Sequence, residues 1–236
     1  MFAEFLRQDS GCRSYGVELE GERWFVKHAV EPRAVSSLRR AIALHERVQH
    51  PTIIGLQAWF PTTLGPALVY PWRNGHSLYP ADEGPEAAYS RFGRLPLADV
   101  MRAIDDLVDA HVVICAAGFV AVDLYDGCFV YDFDARRLQL CDLDEYRPGP
   151  FVVEGDRLPG SHRFMAPEEL TRGAVIDERT TVFNLGRAIG VLLGSGRAWR
   201  GSPAQRALME QATHAEPGRR QPTVAELAAQ WSAAGA

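Results

Sequence analysis

Along residues 15 to 30, YGVELEGERWFVKHAV, apolar and polar positions alternate on both sides of a Glu20-Gly21-Glu22 turn. Period-two alternation about a glycine turn predicts a β-hairpin, and its second strand carries Lys27. After Pro32 the period changes: Val35, Leu38, Ile42 and Val48 approximate one face of a helix that His50-Pro51 should end. GPALVYPW reads as a short apolar strand stopped by Pro71, and the polar, Gly- and Pro-containing stretch from Arg73 to about Arg94 as a connector with one short helix. Helical periodicity then dominates. LADVMRAIDDLVDAHVVICAAG is amphipathic, GCFVYD and LQLCDLD are two short strands flanking a turn, and TTVFNLGRAIGVLLG, SPAQRALMEQATHA and TVAELAAQWSAAG are helices. No internal repeat or low-complexity linker interrupts the series. The predicted class is α+β: a small β-rich part with one main helix, then a larger, mostly helical part.

Composition narrows the partners. The chain has 236 residues, of which 47% are hydrophobic and 23% charged, enough apolar material for a substantial core. A formal charge of −5 with dispersed arginines argues against a general nucleic-acid binder, since phosphate backbones are held by clustered cations. Cys12, Cys115, Cys128 and Cys141 contain no C-x-x-C pair, which points to a reducing compartment rather than to zinc or disulfides. Glu4 and Arg7 stand where a signal peptide needs an apolar run, and no uncharged apolar stretch is long enough to span a bilayer. A cytoplasmic protein without a membrane or nucleic-acid partner is expected.

Each chemically suggestive residue is weak alone, because a lysine at a strand end is usually solvated and an aspartate after an apolar run is usually a turn. Their order is more specific. Lys27 on a strand, a helix ending in His50-Pro51, a strand leading into LVYPWRNGHSL, Asp123 in AVDLYDGC, Asp142 in LCDLDEY and then GSHRFMAPEE form a series that resembles the protein-kinase superfamily over nearly the whole chain. The Ala- and Arg-rich wording, VDLYDGC above all, is similar to compact bacterial, actinobacterial-type Ser/Thr kinase-like proteins. The resemblance implies a bilobal kinase-like fold with an N-lobe at 1–72 and a C-lobe at 73–236, binding ATP and Mg²⁺ or Mn²⁺. It assigns Gly11 and Gly16 of GCRSYG to a phosphate-covering loop, with Arg13 in place of the middle glycine. Lys27 becomes the phosphate-orienting lysine, Tyr70 a gatekeeper, and Pro71 (carbonyl) and Arg73 (N–H) the adenine contacts. Asp123 becomes the base for the attacking hydroxyl, and Asp142 the metal-binding aspartate.

Several positions depart from the family pattern. Ala41 stands where the helix should carry the glutamate that pairs with Lys27, and Glu46 lies about 140° further round the helix. Ala121 and Val122 replace the histidine and arginine before Asp123, Cys128 replaces a metal-binding asparagine, and Asp144 replaces the glycine after Asp142-Leu143. A thiol is a poor ligand for Mg²⁺, so Asp144 or Asp126 is expected to supply the missing oxygen. Cys128 and Cys141 should line the nucleotide pocket, where ATP would shield them from alkylation. Thr181, where the family carries a bracing aspartate, predicts a less braced loop. In the segment GSHRFMAPEE, Ser161 takes the threonine position and Glu168 is expected to pair with Arg220. That segment suits a protein substrate, whereas Tyr125, in place of a lysine, and the DLD triplet suit a small molecule. Three readings follow: a Ser/Thr protein-kinase-type phosphotransferase using Lys27, Asp123 and Asp142; a pseudokinase binding nucleotide or a partner; and a metabolite kinase.

Overall fold

The computed structural model describes residues 1–6, 10–80, 86–194 and 198–235. Its first part is an antiparallel five-stranded sheet made of β1 (Ala3–Phe5), β2 (Cys12–Leu19), β3 (Glu22–Ala29), β4 (Ala58–Thr62) and β5 (Gly65–Pro71), in the order β1-β2-β3-β5-β4. The predicted hairpin is β2 and β3. Glu20 at φ 53° and Gly21 at φ 81° form its turn, and two consecutive left-handed residues match the twist of the flanking strands. In this register Lys27 lies between Ser14 on β2 and Leu68 on β5, on a central strand held from both sides.

Helix α1 (Pro32–His45) begins with proline at its first position, where the missing N–H costs nothing. Its buried stripe, Ala34, Leu38, Ala41 and Ile42, packs with Cys12, Ala29 and Leu68 against the sheet. The helix stops at His45, short of the expected His50, for a packing reason. Leu44, Val48 and Ile53 turn away from the sheet into the larger core of the second part, and Ile53 bridges to Leu140. The two parts therefore share apolar contacts through residues 44–53 as well as through the strand that leads out at Pro71.

The second part contains β6 (His76–Ser77), α2 (Ala88–Gly93), α3 (Leu97–Ala116), β7 (Phe119–Val120), β8 (Phe129–Asp132), β9 (Arg137–Leu140), β10 (Arg147–Pro148), β11 (Phe151–Val152), β12 (Val175–Ile176), α4 (Glu178–Gly194), α5 (Pro203–Ala212) and α6 (Val224–Gly235). Leu107, Ile114, Leu185, Ile189 and Trp231 from α3, α4 and α6 fill its core, with Phe129 and Leu140 of the β8–β9 hairpin laid on top. Among the described residues the fold is thus α+β, with six α-helices and one main sheet, as the periodicity predicts. No helix among them is long and apolar enough to cross a membrane. The pattern did not predict β1 and β4. Both are edge strands, and all five residues of β4 are exposed, so no alternation betrays it.

The expected Glu168–Arg220 pair is present. Arg220 forks onto the carboxylate at 2.6 and 2.9 Å and also donates to the carbonyls of Arg179, His214 and Ala215, while Thr180 donates to Glu168 at 2.8 Å. The guanidinium is fully buried, so removing it strands a carboxylate in a dry site. Arg220→Met is expected to lower unfolding free energy by about 3–5 kcal/mol, read from urea denaturation.

Candidate active site

Between the sheet and the helical part lies a cleft of about 340 Å³, within the range of small-ligand sites. Phe5, Phe25 and Lys27 line its sheet side; Tyr70, Pro71, Trp72 and Arg73 border it where β5 leads out; Val130, Cys141, Asp142 and Leu143 form the opposing wall. The strand order explains this assembly: β3 and β5 are neighbours in the centre of the sheet, so Lys27 and the exit strand must share one edge.

Lys27 is 6% exposed, and its ammonium contacts two carboxylates, Asp142 Oδ1 at 2.6 Å and Asp144 Oδ2 at 2.5 Å. Burial works against its charge, but the two acids outweigh burial and hold its pKa well above the usual lysine value. The two acids differ in exposure. Asp142 has 41% of its side chain in solvent, whereas that of Asp144 is 8% exposed. Asp144, expected as a metal ligand, is here committed to a buried pairing with Lys27. Asp126 is committed too: both its oxygens accept from Arg163 at 2.8 Å, and its side chain is fully buried.

Ala41 is buried in the apolar contact of α1, so the helix offers Lys27 no acid from that position. One residue earlier, Arg40 reaches across instead. It donates to Glu145 Oε2 at 2.6 Å, to Ser37 Oγ at 3.0 Å and to the Asp144 carbonyl at 3.3 Å, while Ser37 Oγ donates to the other Glu145 oxygen. Sequence reasoning missed Arg40 and Glu145 because nothing local links them.

Asp123 and Asp142 both have left-handed backbone, φ 61° and 60°, a conformation shared among described non-glycine residues only by Glu20 and Arg136. Such a backbone is disfavoured for residues with a Cβ and clusters at functional sites. Burial, then the nearby carboxylates of Asp142 and Glu145, push the Asp123 carboxyl up to about 7. Where a less braced loop was expected, Thr181 Oγ1 of α4 accepts the Ala121 N–H at 3.0 Å. Val122 packs with Val153, Leu158, Met165 and Ile176, so an apolar cluster docks the following segment on this loop.

Cys128 is buried in the core, its thiol donating to the Asp123 carbonyl at 3.5 Å, and burial raises its pKa well above that of a free thiol. It stays neutral and does not line the cleft. Cys141 does line it, with a pKa pushed to about 12 by burial and by Asp142, and is accordingly a slow nucleophile.

Gly11 and Gly16 do not frame one loop. Residues Cys12–Leu19 are strand β2, so the stretch from Gly11 to Gly16 runs into and along a strand, and residues 7–9 before it lie outside the described residues. Gly11, at φ 73°, accepts the N–H groups of Val30 and Glu31, and Gly16 lies within strand β2, where a Cβ would come within 2.7 Å of the Phe2 ring. Both glycines serve backbone packing. Phe5 and Phe25, 5.9 Å apart, instead present rings to the cleft, with Tyr70 and His45 behind them. Burial lowers His45 to about 4, so this wall is uncharged at neutral pH.

Among the described residues no group of three or more His, Cys, Asp or Glu side chains is disposed to hold a metal ion. A hard cation that shares its coordination with phosphate needs only one or two protein carboxylates, and Asp142 is the half-free one here. The donor set fits one such ion and does not fit a second at Cys128. No protein-family model matches the chain, and no curated protein matches its sequence.

The raised Asp123 value carries a stability prediction. In the unfolded chain the group ionises near its usual value of 3.8 and in the folded chain near 7, so ionisation between those values disfavours folding. Asp123→Asn and wild type are expected to have equal urea midpoints only below about pH 3, where the carboxyl is protonated in both states. At pH 8 the variant gains about 1–3 kcal/mol, the upper end discounted for partial solvent contact.

Proposed function

We propose that this chain is a phosphotransferase of protein-kinase type with a kinase-like bilobal fold, moving the γ-phosphate of ATP to a Ser or Thr hydroxyl of a protein. The observation that carries this reading is the meeting of Lys27 and Asp142 at 2.6 Å, across 115 residues of sequence, at the mouth of an aromatic-walled cleft bordered by Pro71 and Arg73. Flat apolar walls beside a strand exit suit a purine, and a buried, permanently charged lysine suits its phosphates.

In this reading the acceptor hydroxyl oxygen forms a bond to the γ-phosphorus while the bond from that phosphorus to the bridging oxygen breaks, its electron pair leaving with ADP. The hydroxyl proton passes to Asp123, whose carboxyl near 7 is matched to accepting it at neutral pH. Lys27 neutralises phosphate charge, and Asp142 would hold Mg²⁺ or Mn²⁺, which supplies further neutralisation of the triphosphate. The apolar cluster around Val122 keeps the segment at 151–165 docked without a phosphorylated residue, consistent with an acceptor platform that is permanently in place.

A second reading, a pseudokinase that binds nucleotide without turnover, draws on one observation: the Cys128 thiol, buried and neutral, leaves the second metal position of the family without an oxygen donor. Intact-mass spectrometry after incubation with ATP and Mg²⁺ or Mn²⁺ separates the two. Phosphate added to wild type, and lost by about 10²-fold or more in Asp123→Asn and Asp142→Asn, is the expected result. Unmodified wild type alongside an unmodified panel of protein and small hydroxylated acceptors would contradict transfer.

A further inference from the structure

The position of α1 reaches Lys27 here by a route that does not use a carboxylate on the helix. Lys27 has two acids, and only Asp142 is open to solvent. When a triphosphate and its cation enter the cleft, Asp142 is the acid they can engage, and Asp144 is the one left behind with the lysine. The Asp144 main chain is in turn gripped from α1: Arg40 donates to its carbonyl and to the neighbouring Glu145, which also accepts from Ser37 of the same helix. Arg147 adds a weaker contact to Glu145 at 3.4 Å.

We propose that Asp144 is the stationary counter-ion of Lys27 and that Arg40 positions it, so that α1 controls the lysine through an arginine-to-backbone relay and Asp144 is not a metal ligand. The claim rests on the phosphotransferase reading above and assigns positioning residues to it. Its logic is electrostatic. A lysine this buried needs a partner at all times, and with Asp144 gone its sole acid is Asp142. Once the cation engages Asp142, no fixed acid is left to hold the lysine in place, and phosphate alignment is lost while cation and nucleotide still bind.

The test measures transfer rate against ATP and against Mg²⁺ in wild type, Asp144→Asn, Asp144→Glu, Arg40→Gln and Asp142→Asn, each first checked for cooperative thermal unfolding. Expected for Asp144→Asn is a fall in kcat of about tenfold or more, with KM for ATP and the Mg²⁺ concentration for half-activity within about threefold of wild type. Asp144→Glu restores part of the rate, and Arg40→Gln shows a smaller loss of the same kind. Asp142→Asn instead raises the Mg²⁺ requirement. A shift in Mg²⁺ requirement for Asp144→Asn matching that of Asp142→Asn would overturn the counter-ion role, as would an unchanged kcat in Asp144→Asn. Wild type that transfers no phosphate overturns the parent reading and this inference with it, an outcome distinct from both because it appears before any variant is compared.

Discussion

A lysine ammonium taken out of water must be matched by fixed negative charge, and Lys27 is the constraint around which the two parts of this chain are arranged. It enters on the central strand β3, and its partners arrive from the loop after β9. Neither part alone holds the cluster. An isolated buried charge of this kind would cost several kcal/mol, so the pairing makes the relative placement of sheet and helical part a matter of electrostatics as well as packing. The apolar contribution of residues 44–53, at and beyond the end of α1, acts in the same direction by joining the larger core.

Around this cluster the chain accepts local strain. Asp123 and Asp142 both sit in left-handed backbone, and the neighbourhood restrains them: Thr181 holds the Ala121 N–H, Val122 is packed on all sides, and Gly160 passes close enough that a Cβ there would lie 3.6 Å from the Asp123 backbone. Substitutions that look like losses in the sequence are met by other chemistry in the fold. A threonine hydroxyl holds the Ala121 N–H, an apolar cluster packs around Val122, and Asp144, after Leu143, pairs with Lys27.

The hairpin, α1 and the large helices were legible because burial imposes a period on sequence, and the Glu168–Arg220 pair because the resemblance named it. The edge strands β1 and β4 were not, since exposure on both faces erases alternation. The glycines misled for a related reason: Gly16 looks like a loop residue in sequence, but its missing Cβ accommodates the Phe2 ring. Asp144 was singled out, but its pairing with Lys27 was not read. Its role depends on which cation tertiary folding brings within reach, and a lysine over a hundred residues away leaves no local mark on the aspartate. Phe5 was assigned to no element, and Phe25 and His45, which also shape the cleft, were read only as parts of a strand and a helix, because a wall residue and a core residue have the same periodicity.

The most direct test of the account is a calorimetric titration of ATP with Mg²⁺ into wild type and into Lys27→Met, with the variant's fold confirmed by circular dichroism. Saturable one-site binding to wild type, weakened about tenfold or more in the variant, is the predicted result, since each tenfold corresponds to about 1.4 kcal/mol of lost phosphate contact. Absence of binding to folded wild type, or equal affinity in both proteins, would contradict the claim that the Lys27 cluster is built to receive a nucleotide.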